Sequence, residues 1–87
     1  MILMVTYDLK QPIGSYTGLF GVLKSKDSWW HYLSTTWLVA TEDTPSALQD
    51  ELVKHIFKGD RVLIVAFRSE YSGWLPKKAW EWIATHK

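Results

Sequence analysis

Apolar positions fall along this chain in two patterns, unbroken runs and a helical spacing, and each predicts a different kind of element. Residues 1–5 with Tyr7, and residues 62–67, are apolar at odd and even positions alike, the pattern of strands buried on both faces. Between them lies Lys10-Gln11-Pro12-Ile13-Gly14-Ser15, where Pro12 and Gly14 break any regular element and Ser15 is a good helix N-cap. From Ser15 onward Tyr16, Leu19, Phe20 and Leu23 fall at i, i+3, i+4 and i+7, which predicts a first helix. Gly18 and Gly21 in that helix would let it pack closely against a sheet. The stretch SWWHYLSTTWLVAT is dense in aromatic and β-branched residues and predicts two short strands, 29–33 and 36–41, around Ser34-Thr35. Thr44 as N-cap and Pro45 at the first helical position open a second helix. Its buried stripe is Leu48, Leu52 and Ile56 with Val53 beside them; Lys54 and Lys58 lie near its C-terminal end and Gly59 stops it.

Strand, helix, strand, strand, helix, strand is the order of an α+β ferredoxin-like βαββαβ two-layer sandwich, with both helices on one face of an antiparallel sheet. Such a sheet needs one apolar face, yet the first and last strands are apolar on two. Something must cover the second face. The candidates are a partner subunit and the tail 70–87, where Ser72-Gly73 turns the chain, Pro76 starts a short helix, and Trp74, Trp80 and Trp82 supply apolar surface. The chain is one domain, residues 1–87, with a core of 1–69 and a Trp-rich C-terminal extension of 70–87.

Composition adds three constraints. At 87 residues and 47% apolar, with six Trp, a small core can still outweigh chain entropy through aromatic burial. Zero cysteines exclude disulfides and thiolate metal sites and fit a reducing compartment. Net charge is +1, so any nucleic-acid contact would be local and not a broad basic face. The first apolar run is too short to span a membrane and has no basic leader, so the expectation is a soluble cytoplasmic protein.

The segment Val5-Thr6-Tyr7-Asp8-Leu9 closing the first strand, the amphipathic helix, the Ser/Thr-containing strand pair, the second helix and DRVLIVAF together resemble a known pattern. It is that of the small CRISPR-associated nuclease-like subunit of the spacer-adaptation complex and of its relative, virulence-associated protein D. The segments WWHYL and GWLPKKAWEW are similar to those of small SinR-like proteins of bacteria and phages. The resemblance covers residues 1–67 and implies a ferredoxin-like homodimer. It also implies that Asp8, the one residue matching the relatives' metal-binding aspartate, would hold Mg2+ or Mn2+ across the dimer axis if the protein were a nuclease. Two departures stand against phosphodiester chemistry: no arginine opens the first helix, and WWHYLSTTW replaces a more polar second strand.

Read from the residues themselves, Asp8 is either an oxygen ligand for a divalent metal or a strand-end Asp bonded to loop amides. His31 and His55 have the chemistry for proton transfer, but their aromatic-strand and helix-end settings favour structural roles, and His86 belongs to the tail end. Trp29, Trp30, Tyr32 and Trp37, with Tyr71 and Trp74, offer stacking surface for bases, at about 1–3 kcal/mol per contact in single-strand binders. Strand alternation separates Trp29 and His31 from Trp30 and Tyr32, so these cannot form one platform. Lys24, Lys26, Lys77 and Lys78 read as solvated, while Arg68 ends the last strand where it can meet a phosphate or carboxylate. The expected ligand cleft is Tyr7, Asp8, Lys10, Ser15, Tyr16, Trp29, Trp30, Trp37 and Arg68, with free amides at Ser15-Tyr16 for an anion. The expected function is binding of a nucleotide-type ligand or short nucleic acid without catalysis or a required cofactor, and the resemblance implies a setting in bacterial or phage defence or counter-defence. The alternatives are an Asp8-dependent phosphodiesterase and a Trp-rich protein-interaction module.

Overall fold

The computed structural model describes residues 1–68 and 70–87. The order is β1 (Ile2–Asp8), a 3-10 turn (Ile13–Tyr16), α1 (Thr17–Lys24), β2 (Ser28–Leu33), β3 (Thr36–Ala40), α2 (Pro45–Leu52), a 3-10 turn (Val53–His55), β4 (Arg61–Phe67) and α3 (Lys77–His86). The four strands form one antiparallel sheet in the order β2-β3-β1-β4, giving a small α+β fold. Met4 of β1 lies between Leu38 of β3 and Val65 of β4. The expected boundary of the core at residue 69 lies outside the described residues.

Each strand sorts its side chains by parity. Leu3, Val5 and Tyr7 of β1 join Trp37 and Val39 of β3 beneath Tyr16, Leu19 and Leu23 of the first helical segment and Leu48 and Leu52 of α2. On the opposite face Ile2, Trp30 and Leu38 meet Ala79 and Ile83 of α3. The C-terminal helix therefore covers part of the second face, and Trp80 and Trp82 flank its buried pair. Trp74 is fully exposed and contributes nothing to this cover, contrary to expectation. The cover is incomplete over β4, whose outward Leu63 and Val65 stay 58% and 40% exposed.

Several local expectations need correction. Ser15 is not an N-cap: it sits inside the 3-10 turn, and α1 begins at Thr17 after an N-cap Tyr16 that makes no side-chain cap bond. Thr44 caps α2 as expected, its Oγ1 accepting from the Ala47 amide at 3.1 Å. The α-helix then ends at Leu52 and tightens to a 3-10 turn, so Val53 points outward and Gly59 has another task. Gly59 has φ +91° in the turn after Phe57, closed by the Asp60 amide donating to the Phe57 carbonyl at 3.1 Å. Gly18 makes room for the His55 imidazole and not for the sheet, and Gly21 faces open space. His86 belongs to α3, with Nδ1 2.8 Å from the Trp82 carbonyl.

Lys26 is not solvated. Its side chain is only 11% exposed, with Nζ 2.8 Å from Asp43 and 2.7 Å from Glu51, pinning the turn after α1 to the start and end of α2. Burial alone would lower its pKa, but the two carboxylates outweigh that and raise it. Lys26 in turn holds the Asp43 carboxyl below its ordinary value, against the effect of burial.

Candidate functional site

The loop between β1 and α1 is organised around a carboxylate that the sequence reading passed over. Asp60 is 8% exposed and precedes β4. Its Oδ1 accepts from the Lys10 amide at 2.8 Å, and its Oδ2 accepts from the Phe57 amide and the Tyr16 hydroxyl, each at 2.8 Å. The Tyr16 oxygen in turn accepts from the Gln11 amide at 3.0 Å. The Ser15 amide donates to the Pro12 carbonyl at 2.9 Å. The anion that this loop's donors hold is thus the protein's own Asp60. Burial would raise the Asp60 pKa, but the Phe57 and Lys10 amides and the Tyr16 hydroxyl together lower it below its ordinary value. Burial, with Asp60 beside it, raises the Tyr16 phenol despite the Gln11 amide.

This network has a testable pH signature. The folded-state pKa of Asp60 lies below the unfolded value of about 3.9, so its stabilisation is complete above that value and disappears as pH falls through the folded value. In Asp60→Asn the amide nitrogen replaces one acceptor, and at least one of the three donors loses its partner. Thermal melts should show the variant lower by on the order of 5–10 °C at pH 7. The gap should narrow at pH 3, and an equal gap at both pH values would remove Asp60 from this role. Lys26 acts at the other end: its contribution is complete below about 10.4 and is lost as pH rises through its raised value.

Tyr7 and Asp8 leave β1 on opposite faces. Tyr7 is buried against α1, and its hydroxyl accepts from Trp37 Nε1 at 3.1 Å. Burial raises its phenol pKa, and the bond from Trp37 offsets only part of that. Asp8 lies on the outer face, in register with Arg61 of β4, its Oδ2 2.9 Å from Lys10 Nζ. With side chains 65% and 53% exposed, this pair contributes little to stability. Asp8, Thr6, Arg61 and Leu63 border a shallow depression on that face. Among the described residues no three His, Cys, Asp or Glu side chains converge as a metal cluster. Arg68 is exposed just beyond β4, on the sheet edge opposite β2.

One group of aromatic residues gathers at the other edge of the sheet. Between Trp30↔Leu38 and Leu33↔Thr36 the β2–β3 register slips by one, so His31 and Tyr32 together oppose Trp37. This bulge lays the His31 ring on Trp37, with centroids 4.1 Å apart and planes 12° from parallel, and leaves Tyr32 80% exposed. Trp29 leans on the same indole at 5.2 Å, and Phe20 stacks on it at 5.9 Å. Trp37 is therefore a supporting layer, 1% exposed, while Trp29 at 40% and His31 present surface. Lys24 Nζ lies 5.5 Å from the Trp29 ring centroid, within cation–π range. These residues border a groove of about 410 Å³.

On the opposite face of β2, Trp30 and Tyr32 meet Pro76, Lys78 and Trp82 around a second groove of about 470 Å³. Trp82 Nε1 donates to Ser28 Oγ at 3.0 Å, fixing α3 to the strand. Of the residues expected in one cleft, Trp29 and Trp37 meet at the first groove with Tyr7 beneath them, and Trp30 lines the second. Asp8, Lys10 and Arg68 border neither groove, and Ser15 and Tyr16 belong to the Asp60 loop. Lys24 and Lys78, read from the sequence as solvated, each line a groove beside aromatic rings, a setting that only the strand edge creates. Comparison with protein-family models, curated proteins and solved structures finds no match for this chain.

Proposed function

We propose that this chain is a ferredoxin-like, homodimeric protein that binds a nucleotide-type ligand or a short nucleic acid and does not cleave it, with its site at the β2 edge. The observation that carries this reading is the half-open shelf of Trp29 and His31, backed by buried Trp37, with the Lys24 ammonium beside it. An aromatic face receives a base of any sequence, and a neighbouring cation attracts its phosphate. Trp37 and Phe20 hold the shelf in place before a ligand arrives, so little ordering entropy is lost on binding. The uncovered Leu63 and Val65 on β4 provide apolar surface for a second copy.

The Asp8-dependent phosphodiesterase remains the second reading, because Asp8 stands in the open at the end of that uncovered face. One experiment separates them. Single-stranded oligonucleotide is titrated into the protein, with intrinsic fluorescence, light scattering and product length followed with and without Mg2+ or Mn2+. Saturable quenching in a particle of twice the chain mass, lost in Trp29→Ala with the oligonucleotide left intact, is the expected result. Metal-dependent shortening that stops in Asp8→Asn would overturn it in favour of the phosphodiesterase, and a monomer would remove the dimer.

A further inference from the structure

Both grooves belong to one strand. β2 is a terminal strand of the sheet, and Trp29 and Tyr32 border the groove on each of its faces. Lys24 lines the first groove and Lys78 the second, and among the described residues lining either one there is no Asp or Glu. The aromatic surface therefore continues around the strand edge, with one cation in the lining on each side. We infer that the ligand is a single strand of about four nucleotides that crosses β2, seating one base in each groove with its phosphates near Lys24 and Lys78. This rests on the nucleotide-binding reading and extends it from one base to a chain.

Four nucleotides supply one base for each groove and two to carry the backbone over the edge of β2, where a base seated on one face cannot stack on a base seated on the other. A mononucleotide fills one groove and leaves the other cation without a phosphate. A duplex is excluded because its bases are paired and cannot separate onto opposite faces of a protein strand. Tyr32, which the bulge swings out to 80% exposure, stands at the crossing as the shared wall.

The test uses the full chain and three ligands in fluorescence titrations: thymidine monophosphate, the thymidine tetranucleotide, and a tetranucleotide backbone carrying a base at one end only. The tetranucleotide should bind at least about tenfold tighter than the monophosphate, and the one-base backbone should recover only a minor part of that gain. Lys24→Ala and Lys78→Ala should each weaken the tetranucleotide by about three- to tenfold. Equal affinity for monophosphate and tetranucleotide, or a Lys78→Ala variant that binds the tetranucleotide as wild type does, would overturn the two-groove path while the single-shelf site stands. If none of the three binds and an extended acidic peptide does, both this inference and the nucleotide reading fall, and the free edge of β2 is a peptide-docking strand.

Discussion

Trp37→Ala should lower the free energy of unfolding by about 3–5 kcal/mol, a large share of the roughly 5–15 kcal/mol available to a domain of this kind. The side chain is 1% exposed and touches rings from three directions, Phe20 of α1 and Trp29 and His31 of β2. Its removal leaves a cavity that those rigid neighbours cannot fill without breaking the bulged register, and it strips the Tyr7 hydroxyl of its donor. Urea unfolding reads the stability, and ligand titration below the transition reads the shelf. Trp29→Ala, at a position 40% exposed, should lose binding with little loss of stability, whereas Trp37→Ala should lose both. A stable Trp37→Ala protein with intact binding would mean that the shelf stands without its backing.

The second large effect concerns α3. Ile83 is 1% exposed and, with Ala79, closes the core against Ile2, Trp30 and Leu38. Ile83→Ala should therefore lower stability by about 2–5 kcal/mol. The same change should loosen Trp82, whose Nε1 bond to Ser28 ties the helix to β2, so near-ultraviolet circular dichroism should weaken along with stability. A loss below about 0.5 kcal/mol is the value for a surface site and would show that this helix is not docked on the sheet in solution.

How far the sequence reached can be followed residue by residue. Alternation along β1 separates Leu3, Val5 and Tyr7 from Ile2 and Met4, and the helical spacing of Tyr16, Leu19 and Leu23 marks the face that the first core buries. Thr44 and Pro45 mark the start of α2, because a cap and a proline act within one turn of chain. These readings succeed because period, cap and breaker are local properties, decided by backbone geometry within a few residues.

The site depended on contacts that no local rule contains. Asp60 is joined to Lys10 and Tyr16 across fifty and forty-four positions, so its role exists only once β4 lies beside β1. Tyr7 and Asp8 are neighbours in sequence yet serve opposite faces, and pleating alone separates the cleft that adjacency had joined. The second face of the sheet was legible as apolar, but which segment covers it is a matter of competition between α3 and other surfaces, and packing settled it over β1, β3, β2 and Phe67 at the end of β4 while leaving Leu63 and Val65 open. The sequence by itself determined the strands and helices to within a few residues and the buried positions Tyr16, Leu19, Leu23, Leu48 and Leu52, since these follow from short-range sterics and hydrophobic period. The tertiary structure alone decided that a one-residue slip opposite Trp37 would stack His31 and expose Tyr32, and that the end of α1 would bring Lys24 to Trp29, because a register is chosen by the fit of whole strands and not by any residue within them.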